Sequence, residues 1–284
     1  MHNWSSSCKN ESMSMIERIL FPVDFSPSCT AMAPYVIRAA EMFCAHVSLI
    51  HVCDLASHNG FELLVRVPQE IAEEHEGIAE ERLQSFLEVE FPPVASSRIL
   101  RSGEAAAEIA EVARTGRFDL IVMPTHAGRF RRMLLGSTTA KVLNDAECPV
   151  LTTQHAEGKI PRPLEHRVWA CAIGLSQDSD RVLRMASRSA AEVGAQLTVI
   201  HAASDPDALN VRRRQLDELL EKAGCEAAVQ IATGPVKEAL LEAACRSGAD
   251  ALIVGRRLGA GSLGRLRDLT YSLIRDSPFP VLSV

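Results

Sequence analysis

The sequence predicts an α/β fold built twice in tandem, each copy a five-stranded parallel sheet with helices on both faces. Three observations carry this. The chain repeats itself, each copy alternates strand-length apolar runs with segments of helical period, and a connector with glycine and prolines separates the copies. Residues 26–52 match residues 176–202 at an offset of 150, with Ala45 on Ala195, Ile50 on Ile200 and His51 on His201. From Gly103 onward the offset is 131: Gly103 falls on Gly234, Asp119 on Asp250, Val122 on Ile253, and Cys148-Pro149-Val150-Leu151 on Phe279-Pro280-Val281-Leu282. The first copy therefore holds 19 extra residues between its second strand and Gly103. The copies occupy 16–155 and 165–284, joined by Ala156-Glu157-Gly158-Lys159-Ile160-Pro161-Arg162-Pro163, a composition suited to an exposed linker. A length of 284 residues agrees with two ordinary domains.

In the first copy the elements follow in order. Arg18–Val23 is a continuous apolar run ending at Asp24, a buried strand. Pro27–Cys44 has apolar residues at helical spacing, with Ser26 placed to cap and Pro27 in the first turn. Val47–Val52 is the second strand. Gln69–Glu90 is a charged surface helix with Ile71, Ile78, Leu83 and Leu87 along one face and a solvated acidic side (Glu70, Glu73, Glu74, Glu76, Glu80, Glu81). Ser97–Leu100 is a short strand, Glu104–Arg114 a helix, Leu120–Met123 a buried strand, Ser137–Ala146 a helix and Val150–Thr153 the last strand.

Composition narrows the function. Apolar residues make up 47% and charged residues 23%; Lys plus Arg total 30 against 36 Asp plus Glu, a net charge of −6 and a pI near 5.9. A mildly acidic chain with both signs interspersed has no basic footprint for nucleic acid and no polybasic tract for an anionic membrane. Its longest apolar runs, such as Leu120–Pro124 and Ala251–Val254, are far short of the roughly 20 residues of a membrane span. Met1–Met15 is polar and lacks the hydrophobic region of a signal peptide, so it reads as a disordered leader or as an over-long start preceding Met13 or Met15, and the expected location is the cytoplasm. The eight cysteines, Cys8, Cys29, Cys44, Cys53, Cys148, Cys171, Cys225 and Cys245, form no Cys-x-x-Cys pair and read as small buried hydrophobes in a reducing compartment. No Cys/His cluster has metal-ligand spacing.

In a doubly covered parallel sheet, ligands sit at the carboxyl ends of strands where strand order reverses. That directs attention to Asp24 and to the segment Met123-Pro-Thr-His-Ala-Gly-Arg-Phe-Arg-Arg-Met-Leu-Leu-Gly-Ser-Thr-Thr139. Gly136 allows backbone to approach an anion, and Ser137 and Thr138 offer amides and hydroxyls at a helix N-terminus, a phosphate cradle. From this segment alone the favoured reading is the plainer one, in which Gly136 ends a loop and Ser137 caps the helix, because short Gly-Ser helix starts are common.

Taken together, RILFPVDFS, VSLIHV, FDLIVMPTHAGRF, LLGSTTAKVL and CPVLTT, in this order over nearly the whole chain, resemble the universal stress protein family in its tandem two-domain form. The resemblance implies a Rossmann-like adenine-nucleotide-binding fold of strand order 3-2-1-4-5. It also implies ATP or a related adenine nucleotide as ligand, with Mg²⁺ as its accompanying ion. An Asp ending the first strand would meet ribose or base, backbone ending the second strand the adenine, and a Gly-x-x-Gly-x9-Gly-Ser/Thr loop the phosphates. The matching positions are Asp24, Val52, Met123, Thr125, His126, Gly136, Ser137, Thr138 and Thr139, and the neighbouring Pro22, Val23, Gly128 and Arg129 complete the expected site.

The departures are specific. The first two loop glycines fall on Pro124 and Ala127, and the loop is one residue short before Gly136. Pro124 removes an amide donor and Ala127 adds a methyl, both against affinity. The second copy departs further: Asp24 corresponds to Gly174, and Gly136-Ser137 falls on Arg267-Asp268. An Asp at that helix start would take the dipole site a phosphate needs, so no nucleotide is expected there. Gly255-Arg256-Arg257 with Gly259, Gly261 and Gly264 reads as a surface loop, with an anion site as the alternative.

Other residues have quieter readings. His126 has no nucleophile to serve and reads as a loop residue facing phosphate or solvent. His51 and His201 recur at one position, which suggests a shared hydrogen-bonding task. Arg129, Arg131 and Arg132 either steer phosphates or form a solvated cluster. The apolar last strands, Val150–Thr153 and Val281–Val284, are edges that need cover. The resembled family dimerises through this strand, so here the two are expected to pair within one chain as a pseudo-dimer, with higher oligomers open. Three functions follow: a nucleotide-binding stress-response module with binding confined to the first copy, a nucleotide-free scaffold with degenerate pockets, and an enzyme, at most a slow ATPase. The last is disfavoured because nucleotide-alpha hydrolase relatives need glycine directly after the first strand, where Asp24-Phe25-Ser26-Pro27-Ser28 has none.

Overall fold

The computed structural model describes residues 14–53, 69–125, 135–153, 167–176, 178–203, 205, 207, 209–256 and 263–284. The fold is α/β, as expected, and divides into two compact units, the first ending at Pro149 and the second opening at Val150.

In the first unit the elements are β1 (Arg18–Pro22), α1 (Pro27–Phe43), β2 (His46–Cys53), α2 (Gln69–Ser85), β3 (Ser96–Ser102), α3 (Ala105–Thr115), β4 (Leu120–Pro124) and α4 (Ser137–Asp145). β1 pairs parallel with β2 and with β4, and β2 pairs parallel with β3. The next strand is β5 (Val150–Thr153), and the strands of the first copy run β3-β2-β1-β4-β5, the expected 3-2-1-4-5. β1 buries four of its five residues, because helices cover both faces of a parallel sheet.

α1 begins where Ser26 accepts from the Cys29 amide at 3.3 Å with Pro27 in the first turn, and ends at Cys44 in the left-handed region (φ 52°). Pro34 lies on its exposed side, where a missing amide costs least. α2 stops at Ser85 rather than reaching Glu90, because Leu87 turns the chain at φ 51° and Phe91 folds into the core. Of the apolar face expected for this helix, Leu83 is buried and Ile78 is 59% exposed, so no continuous stripe forms; the Ile71 side chain lies outside the described residues.

The second unit contains β6 (Val168–Ala172), α5 (Ser179–Val193), β7 (Gln196–Ala203), α6 (Leu209–Ala223), β8 (Ala228–Thr233), α7 (Val236–Arg246), β9 (Ala251–Val254), α8 (Leu263–Asp276) and β10 (Val281–Ser283). Its parallel order is β8-β7-β6-β9-β10. β5 groups with this unit, because it pairs antiparallel with β10 in the register Val281↔Thr152, Leu282↔Leu151 and Ser283↔Val150. That sheet is therefore mixed, not purely parallel.

The repeat reaches individual bonds. Asp119 Oδ2 accepts from the amides of Glu17 and Arg18, each at 2.9 Å, and Asp250 Oδ2 accepts from those of Arg167 and Val168 at 2.7 and 3.0 Å. In each copy one carboxylate thus fixes the entry of the first strand. Thr139 Oγ1 donates to Pro124 O at 3.0 Å, and Thr270 Oγ1 to Gly255 O at 3.2 Å. Among the described cysteines, Cys29, Cys53, Cys171 and Cys225 are buried thiols, as expected. Cys148 is half-buried, Cys245 is exposed, and Cys44 is exposed and disulfide-bonded, which corrects the buried reading for these three and the reduced one for Cys44; Cys8 lies outside the described residues.

Candidate functional site

Where β1 ends, Asp24 projects at the surface and Phe25 takes a left-handed backbone (φ 61°), unfavourable for a bulky side chain. Aromatic contacts hold it there. The Phe25 ring packs on His51 at 4.3 Å and edge-on to Phe86 at 5.3 Å, with the Arg82 guanidinium 4.5 Å over its face. His51 Nδ1 donates to Val23 O at 2.8 Å, and Val23 N donates to Ile50 O at 2.8 Å. A carbonyl can only accept, so the neutral His51 ring carries its proton on Nδ1. His201 Nδ1 makes the same 2.8 Å bond to Ile173 O, the shared hydrogen-bonding task its recurrence suggested.

The Asp24 carboxylate is oriented by two donors on one oxygen: the Ser26 amide at 2.9 Å and the Cys29 thiol at 3.0 Å, both to Oδ1. Burial, and then the neighbouring Asp24 charge, push the Cys29 thiol up to about 12, so it stays protonated and acts as a donor.

Opposite stands the N-terminus of α4. Its N-cap is Gly136, at φ −60° and ψ 144°, and no side chain caps it. The Gly136 amide donates to Thr125 O at 2.8 Å, and Gly136 O accepts from Ala140 N at 2.8 Å. The first amides of a helix have no intrahelical acceptor, so those of Ser137, Thr138 and Thr139 carry the positive end of the helix dipole, the property by which a helix start can receive an anion. Behind it, Lys141 Nζ meets Glu104 Oε1 at 2.8 Å, tying α4 to the N-cap of α3 and lowering the Glu104 carboxyl.

These parts enclose one cleft of about 260 Å³, lined by Pro22, Val23, Asp24, Val52, Met123, Gly136, Ser137, Thr138 and Thr139. All nine are predicted site residues. Thr125 does not line it: it is 3% exposed and contributes through its carbonyl to Gly136. His126, Gly128 and Arg129 lie outside the described residues, as does Ala127. The cleft is also lined by Cys29, Ile50, His51, Ala105, Ile109 and Pro124. None of these six was named as a contact from the sequence. Ala105 and Ile109 belong to α3, whose period marks a buried face but does not say that the face ends at a cleft; the usable signals were the strand-end position of His51 and the place of Pro124 in the loop of the family pattern.

The second copy is built differently here. Gly174 stands where the first copy has Asp24, and Ser179, at the position of Cys29, donates to Gly174 O and lies 3.2 Å from Ser176 Oγ. Its strand-end residue His201 is 8% exposed. α8 starts at Leu263, so Arg267 and Asp268 fall inside the helix and not at its first turn. This corrects the expectation of an Asp at the helix start, and Gly264 too belongs to the helix rather than to a loop.

The profile of the Universal stress protein family matches residues 15–154 and again 170–284. A universal stress protein of Methanocaldococcus jannaschii is 31% identical over 147 residues, 49% of this chain and 83% of that protein. One of Methanothermobacter thermautotrophicus is 30% identical over 113 residues, 40% of this chain and 75% of that protein. Among solved structures, a universal stress protein from Archaeoglobus fulgidus superposes with a TM-score of 0.69 at 24% identity, covering 96% of this chain and 97% of its own, a likeness of fold.

Proposed function

The chain belongs to the universal stress protein family, and we propose that its first copy binds an adenine nucleotide, ATP or a close relative, as a cytoplasmic stress-response regulatory module. The observation that supports this most is the convergence of Asp24, the ends of β2 and β4, and the uncapped turn of α4 on one 260 Å³ cleft. That volume is close to the lower end of ligand pockets, about 300 Å³, and suits a nucleoside with its phosphates laid along the α4 turn. Asp24 Oδ2 would accept from ribose hydroxyls. Val52 backbone and the apolar walls at Ile50, Ile109 and Met123 would hold the base. The amides and hydroxyls of Ser137 and Thr138 would meet phosphate, with His126, Gly128 and Arg129 assisting. The described residues present no cluster of three or more His, Cys, Asp or Glu side chains for a metal, and among them Asp24 is the only carboxylate lining the cleft. Mg²⁺ therefore fits as an ion carried by the phosphates, not one held in a protein cage.

The second copy, in this proposal, takes no nucleotide. Without a carboxylate at position 174, and with Ser179 bonded to the Gly174 carbonyl, it offers ribose no acceptor pair. The antiparallel register of β5 with β10 supports a structural role for it: the last strands of the two copies pair within one chain as a pseudo-dimer.

Titration calorimetry of the full chain with ATP tests the reading. The wild type should bind, and Gly136→Glu should weaken binding about a hundredfold or more, since its carboxylate competes for the α4 amides and repels phosphate, removing charge-assisted bonds of roughly 1.5–3 kcal/mol each. No heat from either protein up to millimolar ATP would favour the second reading, a nucleotide-free scaffold. Pro124 is the residue that speaks for that reading, because it lines the cleft without an amide to offer.

A further inference from the structure

Cys29 is 2% exposed, yet it lines the cleft, and its Sγ lies 3.0 Å from Asp24 Oδ1. The Ser26 amide bonds to the same oxygen, so the donors that the described residues supply to Asp24 converge on Oδ1 and leave Oδ2 for a ligand. Thiol and amide come from the first turn of α1 and the residue that caps it, so their positions are set by a rigid element. The second copy supplies a control: Ser179, at the position of Cys29, reaches back to the same strand-end turn, but with no carboxylate there it bonds the main-chain carbonyl of Gly174.

We propose that Cys29 is a positioning residue for the nucleotide site, its thiol proton fixing Asp24 through Oδ1 so that Oδ2 presents to the ribose hydroxyls. This deepens the nucleotide reading and rests on it. A carboxylate on two rotatable bonds pays orientational entropy each time it grips a ligand; two donors on one oxygen remove much of that cost in advance. The thiol is a weak donor, but here its acceptor is charged and the thiol itself is buried.

The test uses the full chain, with ATP and 2′,3′-dideoxy-ATP as probes and calorimetry as readout. Cys29→Ala should weaken ATP about three- to tenfold while barely changing dideoxy-ATP, so the ratio between the two nucleotides falls. Cys29→Ser, which keeps an O–H donor, should restore ATP binding to within about twofold. In an Asp24→Ala background, Cys29→Ala should cost nothing further. Equal losses for both nucleotides, or the same loss with and without Asp24, would show general packing and overturn the proposal. Cys29→Ser that binds like Cys29→Ala while melting like the wild type would overturn it too. Absence of ATP binding by the wild type defeats the nucleotide reading and this inference together, whereas wild-type binding with an additive double-mutant cycle defeats only the inference.

Discussion

The two copies share several bonds that serve the fold and part at the turn where the first strand ends. Asp119 and Asp250 pin their first strands through paired amides, His51 and His201 bond the carbonyls of Val23 and Ile173 at the same 2.8 Å, and Thr139 and Thr270 close the same helix–strand contact. Against this, Asp24 becomes Gly174, Cys29 becomes Ser179, and the left-handed Phe25 has at its counterpart, Leu175, a residue without positive φ. The helices after the fourth strands end in register, at Asp145 and Asp276, yet start at Ser137 and Leu263. One scaffold thus carries two different strand-end surfaces. A carboxylate kept at a surface turn, together with a strained aromatic beside it, is what a scaffold role alone does not require.

The strongest way to break the comparison is to make the first copy resemble the second. Asp24→Gly removes the proposed ribose acceptor and frees the Cys29 thiol to turn elsewhere. A charged hydrogen bond is worth roughly 1.5–3 kcal/mol, so ATP affinity should fall about ten- to hundredfold in a calorimetric titration while the melting temperature stays near that of the wild type. An unchanged affinity would mean that the ligand, where it binds, does not use this carboxylate.

The complementary change strikes where the copies agree. Asp119→Ala and Asp250→Ala each leave two strand-entry amides without their acceptor. Each should cost roughly 1–2 kcal/mol in denaturant unfolding, at the lower end of the range because Glu17, Arg18 and Arg167 are exposed. Similar losses in the two variants would support a shared structural task. A large loss for one alone would show that the copies do not rely on it equally.

How much of this was legible in the sequence depended on range. Local signals worked. Ser26 and Pro27 place the start of α1, the apolar runs place every strand of the first copy within two residues at either end, and Val150–Thr153 is a strand over the expected residues. Tertiary effects did not show. The end of α2 depends on Leu87 accepting a left-handed backbone and on Phe91 entering the core, which no propensity of the Gln69–Glu90 segment reveals. Asp119 and Asp250 were visible as a repeat, but their partners lie 101 and 102, and 82 and 83, residues away. At the site, the strand ends and α4 followed from the family resemblance, while Cys29 read as a small hydrophobe because nothing in a helical pattern tells which buried side chain faces a carboxylate. Arg267-Asp268 misled because a fixed offset assumes equal helix lengths, and α8 extends five residues further toward its N-terminus than α4 would at that offset.

The smallest expected effect concerns how each copy ties its last two helices. In the first, Glu104 beside α3 meets Lys141 of α4; in the second the polarity is reversed, with Lys237 of α7 meeting Asp276 of α8 at 2.9 Å. The Arg275 guanidinium, with Lys237 adding to it against the effect of burial, holds the Asp276 carboxyl down from 3.8 to about 2. A carboxyl lowered in the folded state stabilises above its unfolded value and loses that contribution as pH falls through the folded one, so this tie should persist at pH 5 and fade between about pH 4 and pH 2. The groups are partly exposed, which limits the effect to at most about 1 kcal/mol. Acid unfolding of Asp276→Asn should therefore show a shallower loss of stability over that interval than the wild type. Glu104→Gln, removing a carboxyl also lowered, by Lys141 first, but on a more exposed pair, should show a weaker version of the same change. An unaltered acid slope in Asp276→Asn would mean that the second copy closes its helices by packing alone.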